Sequence, residues 1–262
     1  MKIIDYFKEG FNVMGKVVFL CIINIVFSLL SPDAIDKVLK FRGFHIGVKF
    51  NLPTVIVELW DFVSLPQGIG AVTKIGFPVI SHIPVIFLVV LIPLLILTLL
   101  IVALVSFIYL RILMTRGLGL NITTRASRIL DIFLYNLLLL VITFTLMPMV
   151  FINVMLLMLY MIIMILISYF IYATPFIIVG FDKGVKTALK YSITLAHRKE
   201  YLKFTLFYIV ITLLISPFFT LIAVNGKLLG IIIGSVLAGI VGLWLTSSTT
   251  LMVLDLAKTI LE

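Results

Sequence analysis

The side chains of this chain that could carry chemistry are few and widely spaced. Three carboxylates, Asp131, Asp182 and Asp255, each stand where a long apolar run meets polar sequence, and Lys16 stands near the start of the first run. Ionisable groups deep inside apolar helices mark ion and proton paths, whereas groups at the ends terminate and anchor them. These four read as anchors. His45, His82 and His197 have no metal-ligand spacing, and the single Cys21 has no partner for an intramolecular disulfide. Met155, Met158, Met161 and Met164 recur every third residue. Thioethers suit cuprous copper, but that step carries the sulfurs around the helix with no Cys or His nearby, so the series reads as packing. The sequence has no Gly-rich phosphate loop ending in Lys-Ser/Thr, no His-Glu-x-x-His and no Gly-x-Ser-x-Gly. Gly68-x-Gly70 is a flexible turn. The expectation is a non-enzymatic protein with no catalytic residues, no cofactor and no metal.

One run of hydroxyls stands apart. Thr246, Ser247, Ser248, Thr249 and Thr250 distribute hydroxyls around a full helical turn, which could line a polar path or bond back to the helix's own carbonyls. Just before them Gly230, Gly234, Ala238 and Gly242 recur every fourth residue, and Ser235 and Gly239 widen the ridge. Small side chains in that register let a neighbouring helix approach closely. Packing is the stronger reading, and a polar path through Thr246, Ser247 and Thr250 is the alternative.

The elements that must position these residues follow from composition. Of 262 residues, 63% are hydrophobic and only 12% charged, with a mean hydropathy of +1.33. Those values exclude an ordinary soluble domain. A hydrocarbon core about 30 Å thick needs about 20 apolar helical residues. Six segments meet that length: 11–30, 83–110, 132–151, 154–181, 204–224 and 228–254. The expected fold is all-α, a single polytopic membrane domain over 1–262 with six spanning helices. Lys2 and Lys8 before Val17 to Leu30 resemble a cleaved leader. Asp5 and Glu9 spoil that pattern, and Ser31-Pro32-Asp33 is a poor cleavage site, so the run is expected to stay as the first span. Segment 31–82 becomes an outer loop. Its apolar stretch 54–65 is too short to span and is expected as a re-entrant or interfacial helix.

Charge sets the orientation. The excess of 20 Lys and Arg over 11 Asp and Glu reads here as contact with anionic headgroups rather than nucleic acid. Lys2, Lys8, Lys16, Arg111, Arg116, Arg125, Arg128, Lys183, Lys186, Lys190, Arg198, Lys199, Lys203 and Lys258 fall on one side, which the positive-inside rule makes cytoplasmic together with both termini. Lys37, Lys40, Arg42, Lys49, Lys74 and Lys227 fall on the other. The protein is expected in the cell membrane.

Three basic amphipathic leads precede the spanning pairs. Val185, Ala188, Leu189, Ile193 and Ala196 form an apolar stripe opposite Lys183, Lys186, Lys190 and His197. Ile122, Ala126, Ile129, Leu130 and Phe133 repeat the spacing beside Arg125 and Arg128, and Ile3, Ile4, Phe7 and Phe11 do so beside Lys8. The expected organisation is a pseudo-repeat of three units, 1–110, 111–181 and 182–262, each with an inner-leaflet amphipathic helix and two spans.

The passage Pro175-Phe176-x-x-Val179-x-x-Asp182-Lys183-Gly184, with Ala188-Leu189-x-x-Ser192 and a span after it, resembles a module of several prokaryotic membrane families. These are the membrane domain attached to some glycerophosphoryl diester phosphodiesterases and related stand-alone six-helix proteins. The resemblance covers roughly residues 170 to 225. It implies a six-helix membrane fold without catalytic residues in the membrane part, and it gives phosphodiesterase activity no basis in this chain. The functional expectation is a membrane protein engaging anionic lipid, a protein partner or a second copy of itself through Arg125, Arg128, Lys183, Lys186 and Lys190. The alternative is a permease or channel subunit working with a separate ATPase.

Overall fold

The computed structural model describes residues 2–29, 85–146, 153–225 and 227–261. Among them there is no strand. The elements are α1 (Ile3–Lys16), a 3-10 turn (Val18–Leu20), α2 (Cys21–Leu29), α3 (Val85–Ile112) with a π-helical turn (Leu113–Gly117), α4 (Arg128–Leu146), α5 (Val154–Ile171), α6 (Thr174–Phe181), α7 (Val185–Ala196), α8 (Lys199–Asn225) and α9 (Lys227–Leu261). The outer loop 31–82 with its apolar stretch 54–65, and the hairpin residues 147–152, lie outside the described residues.

Four described segments are long and apolar enough to cross a membrane: Ile96–Gly117, Arg128–Leu146, Met158–Phe181 and Ile232–Ile260. Their outward faces are apolar. Leu97 and Ile101 on α3, Val141 and Phe144 on α4, Ile162 and Leu166 on α5, and Ile232 and Ile233 on α9 are all exposed. Water would penalise such a surface heavily, and lipid tails match it. This is a helical membrane protein.

The chain departs from the expected elements at three places. The expected first span, 11–30, is not one helix. Phe11 belongs to α1, and the chain turns at Val17 (φ −131°, ψ 28°) before α2 begins. The reason is that α1 is amphipathic, and its buried residues are Tyr6, Phe7, Gly10, Val13 and Met14. Ile4 and Phe11, assigned to its apolar stripe, are exposed instead.

The second expected amphipathic helix is corrected more strongly. Residues 118–127 are not helical, and α4 starts only at Arg128. Gly119 takes a left-handed φ of 66°, which halts the helix, and the Thr124 hydroxyl donates 2.6 Å to the Val179 carbonyl of α6. Finally, the run 154–181 breaks at Tyr172–Ala173, where Pro175 in the first turn of α6 starts a new helix. Asn153 starts α5 by accepting the Leu156 N–H at 2.8 Å.

α9 is the axis of the fold, with α1, α2, α6 and α8 packed on it. Gly230, Gly234, Ala238, Gly239 and Gly242 are buried along it. One close approach falls at Gly239, beside the expected four-residue ridge. A methyl group on Gly239 would lie 2.8 Å from Ile25 Cγ1 and 3.3 Å from the Cys21 carbonyl of α2. One on Gly10 of α1 would lie 2.8 Å from both Cα and N of Ser248. Contacts of Gly180 with Leu254 and Met114, and of Gly117 with Val13, bring α6, the π turn, α1 and the end of α9 together. One end of the bundle therefore gathers α1, residues 113–128, the α6–α7 junction, the start of α8 and the end of α9.

Candidate functional site

The polar structure at that end is built around Arg128, the first residue of α4. Its Nε donates 2.9 Å to Asp182 Oδ1, its Nη1 2.9 Å to Asp131 Oδ2, and its Nη2 2.8 Å to the Asp182 carbonyl oxygen. The fork thus spans a carboxylate one turn along its own helix and the residue that ends α6. Asp182 has the left-handed backbone (φ 49°, ψ 40°) that stops α6 and turns the chain toward α7. Asp131 has a second task. Its Oδ1 accepts the Val185 N–H at 2.8 Å, so a side chain from α4 caps α7. Gly184 sits against both, since a methyl group there would lie 3.5 Å from Arg128 Nη1 and 3.6 Å from Asp131 Oδ1.

Partial burial works against the Asp182 carboxylate. The hydrogen bonds from Arg128 and the Arg125 amide, with the charges of both arginines, outweigh it and hold the group below its ordinary value. Arg125 is mostly solvent-facing and reaches Asp182 only at 3.8 Å. The residues proposed from sequence as one cationic surface therefore differ in kind. Arg128 is engaged on three sides as a tie between α4, α6 and α7. Arg125 is a loose outer partner of the same carboxylate. Lys183 is half-buried beside the junction, and Lys186 and Lys190 are exposed on α7. The opposite face of α7, Ala188, Ser192, Leu195 and Ala196, is buried against the bundle. Exposed Arg198, Lys199 and Lys203 continue the positive surface onto α8.

Sequence reading gave Asp131 and Asp182 no role beyond ending helices. The i, i+3 spacing of Arg128 and Asp131 signals their own pair. Nothing in one dimension signals that Asp182 closes the same fork, because the contact joins residues 54 positions apart.

The hydroxyl turn lies inside the packed core. Thr246, Ser247, Ser248, Thr249 and Thr250 are all fully buried. Their hydroxyls donate to the carbonyls of Gly242, Leu243, Trp244, Leu245 and Thr246 at 2.7–2.9 Å. Ser248 faces Gly10 of α1, so the turn works as a small-residue packing surface.

The N-terminal helix is held on that surface by aromatic and polar contacts. Phe7 stacks on Phe204 of α8 at 4.8 Å and meets Phe207 and Trp244 edge-on at 5.1 and 5.9 Å. Trp244 Nε1 donates 2.7 Å to the Phe7 carbonyl, and the Tyr6 hydroxyl donates 2.5 Å to Asp255 Oδ2. Burial first, and then the Asp255 carboxylate, push the Tyr6 phenol well above its ordinary range, so it remains a donor. Asp255 thus ties the C-terminal helix to the N-terminal one.

No metal site emerges among the described residues, where no three His, Cys, Asp or Glu side chains come together. Met155 and Met158 are exposed and Met164 is buried, so those sulfurs do not converge. Comparison with protein-family models, with curated proteins and with solved structures gives no match to this chain.

Proposed function

We propose that this chain is a non-enzymatic, six-span membrane protein whose basic end lies in the cytoplasm and associates there with anionic lipid or a protein partner. The observation that carries this reading is α7. One face is locked into the bundle through Asp131 and the buried stripe, and the other presents Lys186 and Lys190 outward. A cationic face on a rigidly docked helix needs no ordering when a negative surface meets it. In this reading the segment 11–30, of which α2 is the part beyond the turn at Val17, joins α3, α4, the broken α5–α6 rod, α8 and α9 as the six spans, and the three units remain 1–110, 111–181 and 182–262. Both termini are cytoplasmic by the positive-inside rule, and the resemblance of residues 170–225 to six-helix prokaryotic membrane families agrees with it. The permease alternative would need the Thr246 to Thr250 turn to face water. Those hydroxyls are buried and bonded to their own helix.

Each cation near an anionic surface contributes about 1 kcal/mol, so Lys186 and Lys190 together bias association by about 2 kcal/mol. In vesicles, spin-labelled phosphatidylglycerol should be immobilised by the protein in preference to phosphatidylcholine. Replacing both lysines by Gln, or raising the salt, should reduce that preference. A preference unchanged by both would refute the lipid form of the proposal, and crosslinking of a cytoplasmic protein at position 190 would then test the partner form.

A further inference from the structure

Beside the docked face of α1 lies an open groove of about 550 Å³, lined by Ile4, Phe7, Lys8, Phe11 and Asn12 of α1, Phe207 and Ile211 of α8, and Trp244 of α9. We infer that this groove holds one bilayer phospholipid, an acyl chain lying between α1 and α8 with its phosphate on Lys8 and Asn12.

Three observations support that occupant. The walls are apolar and unsatisfied by the protein: Ile4, Phe11 and Phe207 are 56%, 60% and 40% exposed. An amphipathic helix whose second apolar stripe stays uncovered needs an apolar filler, and the volume lies within the range of about 300–1,000 Å³ usual for small-ligand sites. Phe207 and Ile211 of the groove also adjoin, along α8, the exposed apolar residues Leu206, Val210 and Leu214, so an acyl chain on that face of α8 stays in apolar surroundings. Lastly, the donors sit on the α1 side alone. Lys8 is exposed and forms no ion pair among the described residues. Among the described residues the Asn12 amide donates only to Glu9 Oε2, at 3.2 Å, and its second N–H has no partner there. An ammonium and an amide above an apolar trough complement a phosphodiester above its chain. Glu9, which accepts from Asn12, is exposed and does not line the groove. The floor needs nothing polar from the ligand, because the Trp244 N–H is already bonded to the Phe7 carbonyl.

Trp244 reports occupancy directly. The chain has 2 tryptophans, so Trp60→Phe leaves it as the only one. The full-length Trp60→Phe protein in detergent is titrated with phosphatidylglycerol carrying a dibrominated acyl chain, which quenches a tryptophan it touches. Quenching should saturate. Lys8→Gln should raise the half-quenching concentration about fivefold, and Ile211→Phe, which fills the trough, should remove most of the quenching. If Ile211→Phe does not elute as the wild type does, Asn12→Leu replaces it and should weaken binding without blocking the trough. Quenching that rises without saturation, or is unaltered by these substitutions, overturns the site. So does a brominated alkyl maltoside that quenches as well as the phospholipid, because the phosphate then contributes nothing. The inference rests on the membrane reading but not on α7. Lys186→Gln with Lys190→Gln should leave Trp244 quenching intact, so the two proposals fail separately.

Discussion

Replacing Gly10 by Ala should loosen the N-terminal helix, and no change of the facing side chain should cure it. The added methyl group collides with the Ser248 hydroxyl and also lies 2.8 Å from Ser248 Cα and 2.8 Å from its N. The hydroxyl can be deleted, but the backbone atoms belong to the fully buried 246–250 turn of α9, so α1 must shift outward. Overpacking typically costs about 1–3 kcal/mol, and an obstacle made of backbone belongs at the upper end. Against that stands the docking of α1 through four fully or nearly buried side chains, Tyr6, Phe7, Val13 and Met14. Each contributes about 1.5–3 kcal/mol, so the helix should stay attached but open more often. A loss of about 3 kcal/mol is roughly a 100-fold rise in the open population. Hydrogen exchange of the α1 amides in detergent, read by mass spectrometry, measures this opening. Gly10→Ala should accelerate exchange in Tyr6 to Met14 by about that factor while leaving α4 unchanged. Ser248→Ala alone should have little effect, and the double variant should stay close to Gly10→Ala. Exchange within a few-fold of wild type in Gly10→Ala, or full recovery in the double variant, would refute the argument that backbone contact sets this interface.

Gly180→Ala should behave differently, because its methyl group meets the flexible end of Leu254, Cδ2 at 2.5 Å. A loss of about 1 kcal/mol in thermal unfolding, recovered by Leu254→Val, is expected. Asp182 has a folded pKa below its unfolded value. Its contribution to stability is therefore complete above the ordinary carboxylate range and disappears as pH falls through the lowered folded value. Wild-type melting should decline in acid with a component that Asp182→Asn lacks. A double-mutant cycle of Arg128→Met with Asp182→Asn should show coupling of about 1–3 kcal/mol, with α7 exchanging faster in both single variants. Thr246→Val should change stability by less than about 1 kcal/mol, because the lost hydroxyl bonded only its own helix and the carbonyl of Gly242 stays in the helical ladder. A large loss would mean that the hydroxyl serves something else.

Much of the architecture is legible before any coordinates. Apolar runs of spanning length, the polar residues that bound them and the bias of basic residues toward alternate connections are local properties. The membrane environment reads them one helix at a time, since each helix must satisfy its own backbone hydrogen bonds. Helical periodicity follows from 3.6 residues per turn and marks α7 as a helix, but of the stripe Val185, Ala188, Leu189, Ile193 and Ala196 only Ala188 and Ala196 are buried, with Ser192 and Leu195 beside them, while Ile193 is exposed. The same periodicity failed at Ile122 and Ala126, where Gly119 and the Thr124 bond to α6 override a pattern that local spacing alone would make helical.

The class of the protein and the residues available to each helix are thus written in the chain itself. Tertiary structure alone decided which of them are spent. It turned Arg128 from a surface cation into a half-buried tie by supplying Asp182 from 54 positions away, and it enclosed the hydroxyls of Thr246 to Thr250 by packing α1, α6 and α8 around α9. It also left Ile4 and Phe11 uncovered although they share the apolar character of their docked neighbours. The physical reason is that a charge, a hydroxyl or an apolar side chain has its energy set by what lies against it. Along a helix that neighbour comes from another segment, brought there by the packing of the whole chain.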